Sequence, residues 1–240
     1  ACAPAYFKTH SQGEYVFDHH WADAFERAGG RYYPKLQIAA PFSPVPGPRL
    51  MMRDPLHAAS LLAAAETVVD QNGLSSAHAT FVDESELDYY RAAGWLVRIG
   101  TQFHWQNRGY GSFDDFLGEL SSRKRKAIRK ERAAAQASVR IEQISGADIT
   151  AEMWDAFWVF YQDTGARKWG RPYLTRSFFD IIGDSMKDSI ILFLAYDGAT
   201  PIAGALNFAS TEYHYGRYWG CTRDVPFLHF ELCYYQAVDY

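Results

Sequence analysis

Cysteine is scarce. Cys2, Cys221 and Cys233 are three in 240 residues, an odd number with neither the spacing of a metal site nor the pairing of a disulfide framework. That scarcity predicts a reducing, cytoplasmic setting and no bound metal. No apolar run approaches the length of a membrane span, and no nucleophile constellation is recognisable. No signal-type leader opens the chain. It begins with Ala1-Cys2-Ala3-Pro4, which reads as the inside of a strand, and stops at Tyr240 within a helical pattern. The expectation is therefore of a chain that continues past both ends.

Apolar and aromatic residues are plentiful, at 48% and 16%, enough for a buried core and far from the disordered class. The net charge of −4 hides an asymmetry. From Arg123 to Arg132, seven residues are basic and one is acidic, so the rest of the chain carries −10. Arg, Lys, Ala and Glu favour helix, and the charges recur on all sides of it. Such a helix is expected to cross solvent between two packed units or to lie against an anion. Arg125, Lys126, Arg129 and Lys130 are its candidate phosphate-binding residues. A local positive segment on an acidic body suggests one phosphate-bearing partner rather than general coating of DNA. Set against this is a solvated helix neutralised by its surroundings, which charge alone favours.

In the first half, Gly13 permits a turn, Tyr15 to Phe17 favour a strand, and Trp21 to Ala28 favour a helix. Glu14 and Asp18 flank the aromatic stretch and are candidates for acid–base chemistry; the competing role for Asp18 is a helix cap. Tyr32 to Phe42 is a further strand, with Pro34 marking a bulge or edge. The loop around Gly47 precedes a helix from about Pro55 to Gln71, a weak anion-binding geometry because its prolines lack N–H donors. Strand, helix and extended chain follow to Trp105. Ser112 and Asp115 form a capping box for a short helix that leads into the basic run.

In the second half, Ser138 to Ile144 alternates as a half-buried strand. The next helix carries Trp154, Phe157, Trp158 and Tyr161 on one face, a core pattern. Lys168, Trp169 and Arg171 then cluster in a loop with Gly170 and Pro172, where binding residues concentrate and arginine suits phosphate or carboxylate oxygens. A second helix, three antiparallel strands ending near Gly220, and a helix from Pro226 to Tyr240 complete the chain.

Six runs together resemble the FemAB-like group of N-acyltransferases associated with peptidoglycan biosynthesis. They are Ser11–Ala22, Tyr32–Leu36, Gln102–Asn107, Ser122–Arg132, Lys168–Thr175, and Arg217–Gly220 with Pro226–Tyr235; the first departs from the family pattern at His20. The resemblance implies an α/β (α+β) fold of tandem GNAT-like domains, with mixed, mostly antiparallel sheets flanked by helices. On that reading residues 1–120 are the later part of a first domain, 121–137 a connecting basic helix, and 138–240 the earlier part of a second. It implies transfer of an acyl or aminoacyl group to an amine by direct attack, a cell-wall peptide precursor being one such acceptor. No cofactor is expected to stay bound; the donor is an aminoacyl-tRNA or an acyl-CoA. The acetyl-CoA loop of ordinary GNAT enzymes is missing between Arg217 and Phe227, which favours tRNA or another carrier.

Such chemistry needs a base, oxyanion donors and a proton donor. The candidate catalytic residues are Glu14, Asp18 and Glu231 as bases, with Tyr15, Tyr215 or Tyr235 as proton donor. Lys35, Lys168, Trp169, Arg171, Tyr215, Arg217, Trp219 and His229 are the candidate substrate-binding residues. Two rival readings stand beside this one: an acyl-CoA-dependent N-acyltransferase of a small amine, and a non-catalytic binding module of the same fold.

Overall fold

Two sheets organise the chain, one in each of two units, Ala1–His104 and Trp105–Tyr240. The computed structural model describes residues 1–168 and 172–240. In the first unit the elements are β1 (Ala5–Lys8), α1 (His19–Arg27), β2 (Lys35–Ile38), α2 (Ala58–Gln71), β3 (Ala77–Ala79) and α3 (Leu87–Ala92). β1 runs antiparallel to β2, and β2 parallel to β3, with α2 as the crossover between them. α2 starts where the sequence says it should. The Asp54 side chain accepts from the Leu56 amide at 2.9 Å and Pro55 fixes the first turn. Gly73, at φ 58°, supplies the left-handed stop.

Leu36 and Ile38 of β2 pack with Ala65 of α2, and Leu50, Ala58, Leu62 and Tyr90 form an adjoining cluster. The loop around Gly47 is closed by its own polar groups. The Arg49 guanidinium donates to the carbonyls of Val45, Gly47 and Thr80, while Glu86 accepts from the amides of Arg49 and Leu50. Those donors are not available to an anion. Tyr15 to Phe17 does not form the expected strand. Gly13 and Tyr15 both have positive φ, 78° and 55°, and the chain there wraps inward toward β2. Trp95 to His104 has no ladder partner among the described residues, and Leu96, Ile99 and Phe103 are almost fully exposed.

The second unit contains α4 (Phe113–Gly118), α5 (Ser122–Ser138), β4 (Arg140–Ser145), α6 (Ala151–Lys168), α7 (Arg176–Ser185), β5 (Ile190–Asp197), β6 (Thr200–Ala209) and β7 (His214–Cys221). A closing helical run follows: α8 (Leu228–Phe230), a π-helical turn (Glu231–Tyr235) and α9 (Gln236–Asp239). The sheet order is β4-β5-β6-β7, antiparallel throughout. α6 and α7 cover one face with Trp154, Phe157, Phe160, Tyr161 and Phe179 against Leu192, Leu194 and Leu206. Leu228, Leu232 and Val139 cover the other, against Ile191, Phe193, Ala203 and Ala205. Because both faces are covered, β5 reads as a nearly unbroken apolar run, I-I-L-F-L-A-Y. Each large side chain so buried is worth roughly 1.5–3 kcal/mol. Gly220 lets α6 approach β7; a Cβ there would collide with the Phe160 carbonyl.

The division falls at His104, whereas the sequence reading placed it near residue 120. The reason is that α4 and α5 pack within the second unit: Phe113 meets the Tyr235 ring at 6.0 Å, and the Arg132 guanidinium lies over Phe113 at 4.1 Å. The basic run is helical, as expected, and Ser121 caps it. It is docked on one side rather than solvated all round, with Ala135 fully buried. The mixed α/β class, with two sheets flanked by helices and mostly antiparallel pairing, agrees with the sequence reading.

Candidate functional site

Lys35 of β2 points into the first unit and is completely buried. A buried ammonium must be paired and hydrogen-bonded or it loses its charge, and the sequence supplies the partners from the turn before α1. Lys35 Nζ donates to Glu14 Oε2 at 2.9 Å, Ser11 Oγ at 2.9 Å and Asp18 Oδ2 at 3.0 Å, using all three of its protons. Ser11 Oγ in turn donates to Asp18 Oδ2 at 2.9 Å and lies 2.8 Å from the Tyr33 hydroxyl. The Tyr32 hydroxyl donates to the same Asp18 oxygen at 3.0 Å. Asp18 therefore does not cap α1 with its side chain; it belongs to the Lys35 cluster.

Two carboxylates against one ammonium leave an excess of acceptors. Glu14 Oε1 and Asp18 Oδ1 are buried without a hydrogen-bond partner among the described residues. Burial would raise the Asp18 carboxyl, but hydrogen bonds from Lys35, Ser11 and Tyr32 and the Lys35 charge outweigh it and hold the group below its ordinary value. Burial, followed by the Asp18 hydrogen bond and charge, pushes the Tyr32 hydroxyl well up. His78, 2.8 Å from Ser76 Oγ, is pushed down to about 4, by burial first and the Lys35 charge second. An anion held this firmly is a weak base. Tyr15, unlike these groups, is more than one-third exposed.

In the second unit the candidates converge on β7. A bulge between Leu206 and Asn207 of β6 drops Arg217 out of the cross-strand register and re-aims it. Its Nη2 donates to the Tyr173 hydroxyl at 2.8 Å, its guanidinium lies 4.3 Å from the Tyr218 ring, and Tyr173 and Tyr218 are joined hydroxyl to hydroxyl at 3.0 Å. Tyr215 stacks on Tyr213, at 5.9 Å. Like β4, β7 is an edge strand of its sheet among the described residues. At its end a cavity of about 170 Å³ opens where strand turns into helix, walled by Arg167, Trp219, Cys221, Arg223 and His229 among others. Arg167 Nη2 donates to the Cys221 carbonyl at 3.0 Å, and Arg223 pairs with Asp197 at 2.5 Å. Two of the expected binding residues, Trp219 and His229, line this cavity; Arg167 and Arg223, which line it with them, are not among the candidate binding residues read from the sequence. Trp169, Arg171 and the side chain of Lys168 lie outside the described residues.

Glu231 and Tyr235 are brought together in the π-helical turn, the kind of helix irregularity that often marks functional positions. Glu231 is fully buried and oversupplied with donors: Arg132, Gln136 at 2.8 Å and Gln236 at 2.7 Å. The Tyr235 hydroxyl donates to Glu131 at 3.1 Å, and burial with the Glu131 hydrogen bond pushes it up to about 12. It stays protonated at neutral pH. The cluster ties α5 to the closing helix.

The four expected phosphate ligands on α5 divide into two pairs. Arg125 donates to the end of α4, at the Gly118 carbonyl at 3.3 Å, and Arg129 pairs with Asp114 at 2.8 Å. Lys126 and Lys130 are exposed, as are Arg123 and Lys124. Helical spacing groups Arg123, Lys126 and Lys130 on a different side from the docked Arg125, Arg129 and Arg132. Among the described residues no helix is long and apolar enough to cross a membrane.

No curated protein shows a significant match to the chain. The model of one protein family, FemAB-like, described as peptidoglycan biosynthesis/recognition, matches residues 1–240, the whole chain. The arrangement of two helix-flanked sheets, with the motif-bearing runs distributed over both units, belongs to a member of the FemAB-like family of peptidoglycan biosynthesis and recognition.

Proposed function

We propose that the chain is an N-acyltransferase that moves an acyl or aminoacyl group from a phosphate-bearing carrier to an amine. The cavity at the end of β7 carries this reading. Arg167 and Arg223 set two guanidinium forks beside it, suited to phosphate oxygens. β7, an edge strand kinked at Arg217, has backbone groups on its outer side that suit a donor's carbonyl and its developing oxyanion. Tyr235, kept protonated, is the candidate proton donor in the second unit. The bond from acyl carbon to carrier breaks as the new amide forms, the amine's proton passing to a base and the carrier leaving protonated.

Between the two donor classes, the exposed face of α5 favours tRNA, since Arg123, Lys126 and Lys130 are available for a phosphate backbone. The decisive experiment titrates the purified protein with aminoacylated tRNA and, separately, with acyl-CoA at two salt concentrations. Tight tRNA binding that weakens steeply with salt supports the aminoacyl reading. Saturable acyl-CoA binding without a tRNA response moves the assignment to a CoA-dependent acyltransferase. Binding without transfer of label to any amine would reduce the protein to a recognition module.

A further inference from the structure

His229, in the wall of the cavity at the end of β7, is also part of an aromatic cluster. That ring meets the edges of Trp219 at 5.2 Å, Phe230 at 5.5 Å and Tyr234 at 6.0 Å, and Phe230 and Tyr234 stack on each other at 5.6 Å with 30° between their planes. Large aromatic rings normally stabilise a fold by being buried. Here the inward positions of the same helical run are Leu228 and Leu232, both fully buried, and Glu231 serves the contact with α5. Phe230 and Tyr234 do neither: they are 51% and 53% exposed. The fold gains little from them at those positions, and they leave an exposed apolar patch.

Their setting gives them a use. The stacked rings, each with an outer face, meet the cavity through His229, and the same cavity is lined by Arg167 and Arg223, with Asp224 beside them. The ion pairs there engage Nη2 of Arg167, with Asp163, and Nη1 of Arg223, with Asp197. Each guanidinium has five donors, so both forks retain capacity for phosphate oxygens. Stacking surface next to phosphate-binding charge is the combination that recognises a nucleotide: the base lies on the rings, whatever its identity, and the phosphates pair with arginine. An acyl chain would use the rings and leave the arginines idle; a free phosphate would do the reverse.

We propose that Phe230 and Tyr234 form a stacking platform for the nucleobase of the donor carrier, with a neighbouring phosphate or diphosphate in the cavity between Arg167 and Arg223. This rests on the carrier reading above and adds to it the class of ligand, a nucleoside bearing phosphate, and the residues that hold its base.

The test uses two probes, ADP and inorganic pyrophosphate, titrated calorimetrically into the wild-type chain, a Phe230→Ser/Tyr234→Ser double variant and a Tyr234→Trp variant. ADP is expected to bind at least about tenfold more tightly than pyrophosphate, the advantage that stacking of one base confers. The double variant loses that advantage and keeps its pyrophosphate affinity and its melting temperature, because both rings are half exposed. Tyr234→Trp, which retains a ring, keeps the advantage. Equal binding of ADP and pyrophosphate, or an ADP advantage untouched in the double variant, overturns the platform while leaving the phosphate cavity intact. ADP binding that depends on the rings with no pyrophosphate binding upholds the platform and removes the phosphate cavity. Binding of neither probe removes both.

Discussion

The two units each bury a charged cluster, and the clusters are opposite in kind. Around Lys35 one donor group faces two carboxylates and a hydroxyl, and two buried oxygens, Glu14 Oε1 and Asp18 Oδ1, are left without partners among the described residues. Around Glu231 one carboxylate faces a guanidinium and two amides, and neither of its oxygens is orphaned. A closed cluster of the second kind fixes one packing arrangement, here α5 against the closing helix. Unsatisfied buried groups are costly, and the cluster around Lys35 carries that cost where the one around Glu231 does not.

The comparison is broken most violently at Lys35. Lys35→Met removes the cation that pairs with Glu14 and Asp18 and strands two buried carboxylates. A loss of about 3–5 kcal/mol is expected, read as unfolding of the first unit in a denaturant titration while β5 to β7 keep their amide protection. Methionine has nearly the same length, so a small loss would mean that the carboxylates are solvated and the cluster is not buried.

Acid should act on the first unit next. His78 has its folded value depressed to about 4 from 6.5, so its neutral form is the one the fold favours. Its contribution is complete above pH 6.5 and falls away as pH drops toward 4. Asp18, also depressed, adds a contribution present above pH 3.8 that is lost as pH falls below that value. Melting temperature should decline between pH 6.5 and 4, and His78→Gln should flatten that part of the curve. A variant curve parallel to wild type would remove His78 from the account.

Glu231→Gln keeps the shape of the second cluster and removes its charge. Arg132 retains Asp239 at 2.9 Å, so the expected loss is only about 1–3 kcal/mol. Arg129→Ala breaks an exposed pair with Asp114, both partners more than half exposed, and should cost under about 1 kcal/mol. Charge reversal at Lys126 and Lys130 should leave stability unchanged and abolish salt-sensitive tRNA binding. Equal tRNA affinity in that variant would confine α5 to its packing role.

What the sequence made legible follows from the range of the interactions concerned. Ser112 announces a helix start because a cap is satisfied within three residues, and Asp54 and Ser121 cap their helices over the same short range. The strands from Ile190 to Cys221 are readable because their apolar runs are separated by polar turns. The pair Glu14 and Asp18 stands out as carboxylates one helical turn apart, but their partner Lys35 lies 21 and 17 residues further on. No local pattern signals a cation buried at that distance. The strand expected at Tyr15 to Phe17 yields to the same tertiary demand, since Glu14 and Asp18 reach Lys35 only if the backbone turns there. Arg167 is invisible to local reading because its contact with Cys221 spans 54 residues, although its position just before the Lys168 to Arg171 loop is a signal. Arg223, in the turn after β7, stands where the sequence offers only the lack of a glycine-rich loop. The basic run is recognisable as a helix, but which of its charges go into packing depends on Asp114, Glu231 and the end of α4.

One measurement bears most directly on the proposal that the β7 cavity holds the carrier of a transferable acyl group. Labelled aminoacyl-tRNA and labelled acyl-CoA are each supplied with a panel of amines, and transfer is followed for wild type and for Arg223→Gln. Arg223 is half exposed and its ion pair with Asp197 lies at the surface, so the substitution should leave the fold intact. The expected result is transfer from one donor class by the wild type and at least about a tenfold loss of kcat/KM in the variant, the effect of a charge-assisted contact worth roughly 1.5–3 kcal/mol. Transfer at the wild-type rate by Arg223→Gln would contradict the assignment of the cavity, and transfer from neither donor by a well-folded wild-type chain would contradict the acyltransferase reading itself.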